Sequence, residues 1–206
     1  MPPDNNPLML NENTANDALI RRLRARWRIV VRKVFLYALA IAMLALAKPL
    51  WPTFVAGCVL IAAGLMVRIW AFGHLQKNQA LITSGPYAHT RNPAYLGSAL
   101  AGIGFFLAAG NFGTAVGIAI WIAGVVGLGL FFFQYLPRKY RIEYTRLESE
   151  FGDQARLYAD SVPDFWPRLT PWNGRSRQSF SWSRVSANHE WGWAPLCALA
   201  LALMWF

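Results

Sequence analysis

Apolar residues fall into four long runs, residues 34–50, 54–72, 94–109 and 114–136, with a shorter fifth run at 191–206. Each of the first four approaches or exceeds the roughly 17 to 25 residues that a helix needs to cross a bilayer. Ahead of the first run, Leu19, Leu23, Trp27, Val30 and Val34 recur at helical spacing among arginines. That pattern predicts a basic amphipathic helix over 19–33, lying on anionic lipid headgroups. Residues 1–18 are rich in Asn and Pro with little periodicity and predict a disordered tail. Beyond Pro137, Leu147, Phe151, Leu157 and Tyr158 alternate with Glu143, Arg146, Glu148 and Glu150, so the fourth run is expected to continue as a helix out of the bilayer and to break near Gly152. Val162-Pro163-Asp164-Phe165-Trp166-Pro167 then ends regular structure, with aromatics at interfacial depth. The expected organisation is all-α: an integral membrane helical bundle with about five transmembrane helices. It has a membrane core with four spans over 34–172, a Ser/Arg-rich linker at 173–190 and a fifth span at 191–206.

Between the second and third runs lies a polar, turn-forming cassette, Gly85-Pro86-Tyr87 followed by Arg91-Asn92-Pro93-Ala94-Tyr95-Leu96-Gly97, extended upstream by Gly73, His74, Lys77, Gln79 and Thr83. Asn92-Pro93 reads as a helix start, with Asn as N-cap and Pro in the first turn. The amides of Ala94 and Tyr95 beside Arg91 would make a carboxylate or phosphate site, and Tyr87 and Tyr95 offer flat surfaces for an adenine or a sulfonium. Gly97 and Ala101, then Gly113, Gly117, Gly124 and Gly127, read as close-packing positions between helices, and none forms a Gly-x-Gly-x-x-Gly nucleotide turn.

Composition agrees with the hydrophobic pattern: the 206 residues are 55% hydrophobic and 15% charged, too apolar for a soluble domain. The net charge of +10 follows topology rather than nucleic acid. Seven basic residues lie between Arg21 and Lys33 and nine between Arg138 and Arg184, whereas the connections around Lys48 and around Asn111 carry one between them. Under the positive-inside rule the N-terminus, the 73–92 loop and the 137–190 segment are cytoplasmic, which gives the cassette a cytoplasmic-face active site. Arg68, near the end of the second run, reads as a cation that snorkels to the interface. Cys58 and Cys197 fall in apolar runs without disulfide or metal spacing, and no metal is expected. Ala45-Leu46-Ala47 resembles a cleavage site, but the charged region before it is over thirty residues long, so the first run is read as a retained span.

Taken in order, these motifs resemble the isoprenylcysteine carboxyl methyltransferase family and its relatives among membrane phospholipid methyltransferases. The cassette is similar to that family's Gly-Pro-Tyr and Arg-His-Pro-x-Tyr-x-Gly signature, and Glu143, Phe151-Gly152, Tyr158 and Val162 to Pro167 fall where the family has its second motif. The resemblance covers roughly residues 54–168. Asn92 stands where most relatives have His, Tyr144 replaces a second Glu, Gln79 replaces a frequent His, and Asp164 occupies a position often basic. The resemblance implies S-adenosylmethionine-dependent methyl transfer, with the cofactor enclosed by the loop before the third span and the helix after the fourth. Carried over by motif, the cofactor-binding residues are Leu81, Gly85, Pro86, Tyr87, Arg91, Asn92, Pro93, Tyr95, Gly97 and Glu143, and the catalytic residues are Arg91, Glu143 and Arg141. The acceptor is expected to be a lipophilic molecule in the bilayer, first a carboxylate of an isoprenylcysteine-like substrate oriented by Arg91 or Arg141. The alternatives are a phospholipid amine, a membrane reductase using a nicotinamide cofactor, and a non-enzymatic scaffold. In a bacterium the membrane would be the inner one.

Overall fold

A computed structural model of the chain describes residues 41–76, 80–174 and 178–205, with scattered positions between 20 and 38. It separates into two units, Met1–Ala45 and Leu46–Phe206. In the first, the described positions from 20 onward are helical and mostly exposed, while the expected disordered tail lies outside the described residues. All further description concerns the second unit.

Helix α1 (Trp51–His74) starts at Leu50, with Pro52 in its first turn and Thr53 Oγ1 donating to the Leu50 carbonyl at 3.0 Å. It packs along α2 (Pro93–Ala109) through facing small residues. A Cβ at Gly57 would lie 2.5 Å from the Gly104 carbonyl oxygen, and a Cβ at Gly97 would lie 2.5 Å from that of Gly64. The backbones therefore touch, and packing across bare backbone replaces interlocking side chains. A tight turn joins α2 to α3 (Ala115–Leu130). There the buried Asn111 donates to the Lys48 carbonyl and accepts from Thr114 Oγ1 at 3.2 Å, while Thr114 caps α3 by accepting from the Gly117 amide at 3.0 Å.

Helix α3 runs through one wide turn, Phe131–Tyr135, directly into α4 (Leu136–Phe151). Pro137 has no N–H to donate one turn back, which accounts for a widened turn at this point instead of regular α-helix. The fourth apolar run and the polar helix after it are thus one continuous helix, Ala115–Phe151, of 37 residues. Gly152, at φ +52°, ends it and begins α5 (Asp153–Ser161), where Arg156 reaches back to Glu148 at 2.7 Å.

An irregular strap, residues 162–174, follows α5. The stretch expected as a linker contains α6 (Trp182–Ala187) and a 3-10 turn, Glu190–Gly192, which leads into α7 (Trp193–Trp205). Among the described residues there are no strands, and two helices, α1 and Ala115–Phe151, are long and apolar enough to cross a membrane. Helix α2, at 17 residues, and α7, at 13, are shorter than that. Two buried clusters support the polar end of the bundle. One joins Ala71, Ile82 and Tyr87, and the other joins Ala99, Leu136 and Phe165.

Candidate active site

The cassette folds as a 3-10 turn, Gly85–Ala88, on which the strap is tied. Gly85 sits at φ +60° with the His74 ring 2.5 Å from where a Cβ would be, so both backbone and space require glycine. From the strap, Pro163 accepts from the Arg91 amide at 2.9 Å, Asp164 accepts through its carbonyl from Thr90 Oγ1 at 3.1 Å, and the Trp172 amide donates to Ala88 at 2.9 Å. His89 and Arg168 form a two-way link: the Arg168 amide donates to the His89 carbonyl at 2.9 Å, and His89 Nδ1 donates to the Arg168 carbonyl at 2.8 Å. Tyr158 on α5 donates to the Tyr87 carbonyl at 2.7 Å. Burial pushes the Tyr158 phenol above its usual range, with Tyr87 adding to the shift, so it remains a protonated donor. Burial, then the charge of Glu143, does the same for Tyr87.

Asn92 occupies the N-cap position and α2 begins at Pro93, as expected. Its side chain does something else: Nδ2 donates to the Asp164 carbonyl at 3.0 Å. The Tyr95 amide donates to the Asn92 carbonyl at 3.1 Å. Of the two amides expected to form an anion site, that of Tyr95 is therefore already taken within the helix start.

A cavity of ≈ 530 Å³ opens between the end of α1, the cassette and α4. Its size falls within the range of small-molecule sites. Of the residues carried over by motif, Leu81, Tyr87, Arg91, Asn92, Pro93, Tyr95 and Glu143 line it. Gly85 and Pro86 shape the turn behind it, and Gly97 packs against α1. Arg141 is not brought there and is exposed on α4. The helical period explains the difference: Glu143, Arg146, Leu147 and Glu150, at spacings of three, four and seven, share one face, and a residue two positions before Glu143 points away from it. The lining residues that sequence reasoning passed over include Arg68, Phe72 and Glu150. Arg68 and Phe72 could have been found as an i, i+4 pair running towards the cassette. Lys77 and Gln79 lie outside the described residues.

Glu143 Oε1 accepts from Tyr95 OH at 3.0 Å, joining the cassette helix to α4 across the cavity. Arg91 pairs with Asp164, Arg68 with Glu190 at 2.8 Å, and Arg146 with Glu150 at 3.9 Å. Each arginine lining the cavity thus faces a carboxylate, whereas Glu143 accepts from a neutral phenol. Arg91 Nε and Tyr140 OH are buried without hydrogen-bond partners. Both residues line a second cavity of ≈ 50 Å³, along with Glu143, Tyr144 and Asp164. Among the described residues, no three of His, Cys, Asp and Glu gather in a metal-holding group.

Two helices long and apolar enough to cross a membrane, with a polar, aromatic cavity between the end of α1, the cassette and α4, fit a membrane enzyme. The phospholipid methyltransferase family matches residues 52–141, from the first turn of α1 to within two residues of Glu143. The chain is 31% identical over 177 residues to the cobalt-zinc-cadmium resistance protein CzcN of Cupriavidus metallidurans, a likeness covering 80% of this chain and 74% of that protein. No solved structure matches it. The chain belongs to the membrane isoprenylcysteine/phospholipid methyltransferase family.

Proposed function

We propose that this protein transfers a methyl group from S-adenosylmethionine to a lipid-soluble acceptor at the cavity between the cassette and α4, on the cytoplasmic face of a bundle of about five spans. The observation that carries the proposal is the Tyr95–Glu143 hydrogen bond, which joins the two family motifs around one cavity. The residues fit the cofactor's chemistry. The buried, unpartnered Arg91 Nε suits a carboxylate, Tyr87 and Tyr95 suit a flat ring, and Glu143 suits an ammonium or sulfonium. When bound, S-adenosylmethionine supplies a methyl group already activated for transfer. The chain's own task is to hold donor and acceptor in line and to exclude water.

Charge pairing bears on the acceptor. The sequence leads one to expect a carboxylate acceptor on Arg91 or Arg141, but one terminal nitrogen of Arg91 is paired with Asp164, its Nε is the group proposed for the cofactor's carboxylate, and Arg141 is outside the cavity. Glu143 is a carboxylate that no arginine neutralises in the described structure, and it can accept the proton that an ammonium headgroup must lose before it attacks. A phospholipid amine is therefore the favoured acceptor class, ahead of an isoprenylcysteine-like carboxylate.

The test is to incubate the purified chain, in lipid nanodiscs containing phosphatidylethanolamine, with S-adenosylmethionine labelled in the methyl group. Label retained in lipid after base treatment supports the amine reading. Labelled methanol released by base reverses it in favour of a carboxyl ester. Thermal stabilisation by reduced nicotinamide but not by S-adenosylmethionine would make the protein a reductase, and stabilisation by neither would leave a scaffold.

A further inference from the structure

The buried Arg68–Glu190 pair has no part in the methyl-transfer reading. Arg68 Nε donates to Glu190 Oε2 at 3.0 Å, one terminal nitrogen donates to Oε1 at 2.8 Å, and the other donates to Ser98 Oγ at 2.6 Å. The side chains are 17% and 5% exposed, and the guanidinium lies 5.3 Å from the Phe72 ring centroid and 5.4 Å from that of Trp193. Every nitrogen of the guanidinium is engaged, so its position is fixed. Arg68 lines the large cavity, and Glu190 reaches it from 122 residues further along the chain.

The approach of Glu190 is built into the chain. The carbonyl of Gly73, at the end of α1, accepts from the Ser181 amide at 2.9 Å and from Arg184 Nε at 2.7 Å, which docks α6 there. Gly73 leaves room for the Phe180 ring, and Val185 of α6 is fully buried. His189, at φ +57°, then turns the chain so that Glu190 enters the protein. Gly73 and Arg68 lie within the stretch matched by the family, whereas Phe180, Ser181, Arg184, Val185, His189 and Glu190 lie beyond it.

An arginine in a cavity wall would by itself favour anionic ligands. With Glu190 bound to it the two charges cancel, and Glu143 sets the sign that a ligand meets. We propose that Glu190 is a positioning residue that neutralises Arg68 in the cavity wall, fastens the C-terminal segment to α1, and thereby makes the cavity selective for cationic ligands. This rests on the reading that the cavity holds S-adenosylmethionine.

The test compares binding of S-adenosylmethionine, which carries a sulfonium, with binding of S-adenosylhomocysteine, its neutral sulfide, to the detergent-purified full chain by calorimetry. Glu190→Gln is expected to lower the preference for the sulfonium about tenfold, because it exposes one uncompensated positive charge. The double variant Arg68→Gln/Glu190→Gln is expected to restore that preference, which a merely structural role for the pair would not do. A preference unchanged within about twofold in Glu190→Gln, with both ligands still bound, overturns the proposal. If the wild-type chain binds neither ligand, the methyl-transfer reading fails instead, and the pair is judged by unfolding. Each single variant should lower the melting temperature by about 10 °C and the double variant by less than their sum. Additive losses would overturn the fastening role.

Discussion

Glu143 sits one helical turn before Leu147 on the face of α4 that lines the cavity, and its Oε1 accepts from Tyr95 OH at 3.0 Å. Glu143→Gln keeps the shape and can keep the phenol as a partner, while removing both the charge and the proton acceptor. Its expected effect is a fall of about 10²-fold in methyl-transfer rate with the melting temperature nearly unchanged, read from labelled-methyl assays beside thermal unfolding. An unchanged rate would remove Glu143 from the chemistry. Tyr158 acts differently, since its hydroxyl holds the Tyr87 carbonyl at 2.7 Å inside the protein. Tyr158→Phe leaves that carbonyl unpaired and should cost about 1–2 kcal/mol at neutral pH. The phenols of Tyr87 and Tyr158 titrate above their usual range in the folded chain, so they ionise more readily when it unfolds. The stability they confer is complete below the unfolded value of about 10 and declines as pH rises above it. Tyr158→Phe should therefore flatten the loss of stability between about pH 10 and 12, measured by denaturant titration at each pH.

Among elements, the α1–α2 pair has the least freedom, because Gly64 and Gly97 bring one backbone against the other. Gly97→Ala would place a methyl group 2.5 Å from the Gly64 carbonyl oxygen, and neither backbone can give way without parting the helices. A loss of about 1–3 kcal/mol is expected. Gly129→Ala on α3 meets nothing within 4 Å and should be neutral or gain up to about 1 kcal/mol. Comparing the two melting temperatures in one detergent checks both. Such elements were legible because their ends are written locally: Asn92-Pro93 starts α2 and Gly152 ends α4. The side-chain use of Asn92 was not legible, since the same residue can cap a helix or donate to a distant carbonyl and only the strap decides. Glu190 was hidden for the same reason. A serine- and arginine-rich stretch reads as a linker until the carbonyl of Gly73 and the guanidinium of Arg68 give it partners that lie far away in sequence. Arg141 was a different case, because the helical spacing from Glu143 already placed it on the wrong face.

For the whole molecule, the proposed orientation rests on where the cations are. Seven basic residues precede the first apolar run and nine follow the fourth, while the α2–α3 turn, residues 110–114, has none. The proposed orientation, read from that asymmetry by the positive-inside rule, has the cassette, α4 and α5 on the cytoplasmic side and the α2–α3 turn on the opposite side. Trp166 is 74% and Leu169 97% exposed on the strap beside the cassette, which suits a level at the headgroups, where a lipid acceptor could approach sideways. In a chain carrying Cys58→Ala and Cys197→Ala, a single new cysteine at the exposed Gly113 or the exposed Asp160 reports its own side of the membrane. A membrane-impermeant maleimide added to intact cells should label Gly113→Cys and spare Asp160→Cys, and inverted vesicles should show the opposite. Labelling of both positions from one side would mean that the segment between them does not cross. The reverse pattern would put the cavity on the face without cofactor, and the methyl-transfer reading could not survive that.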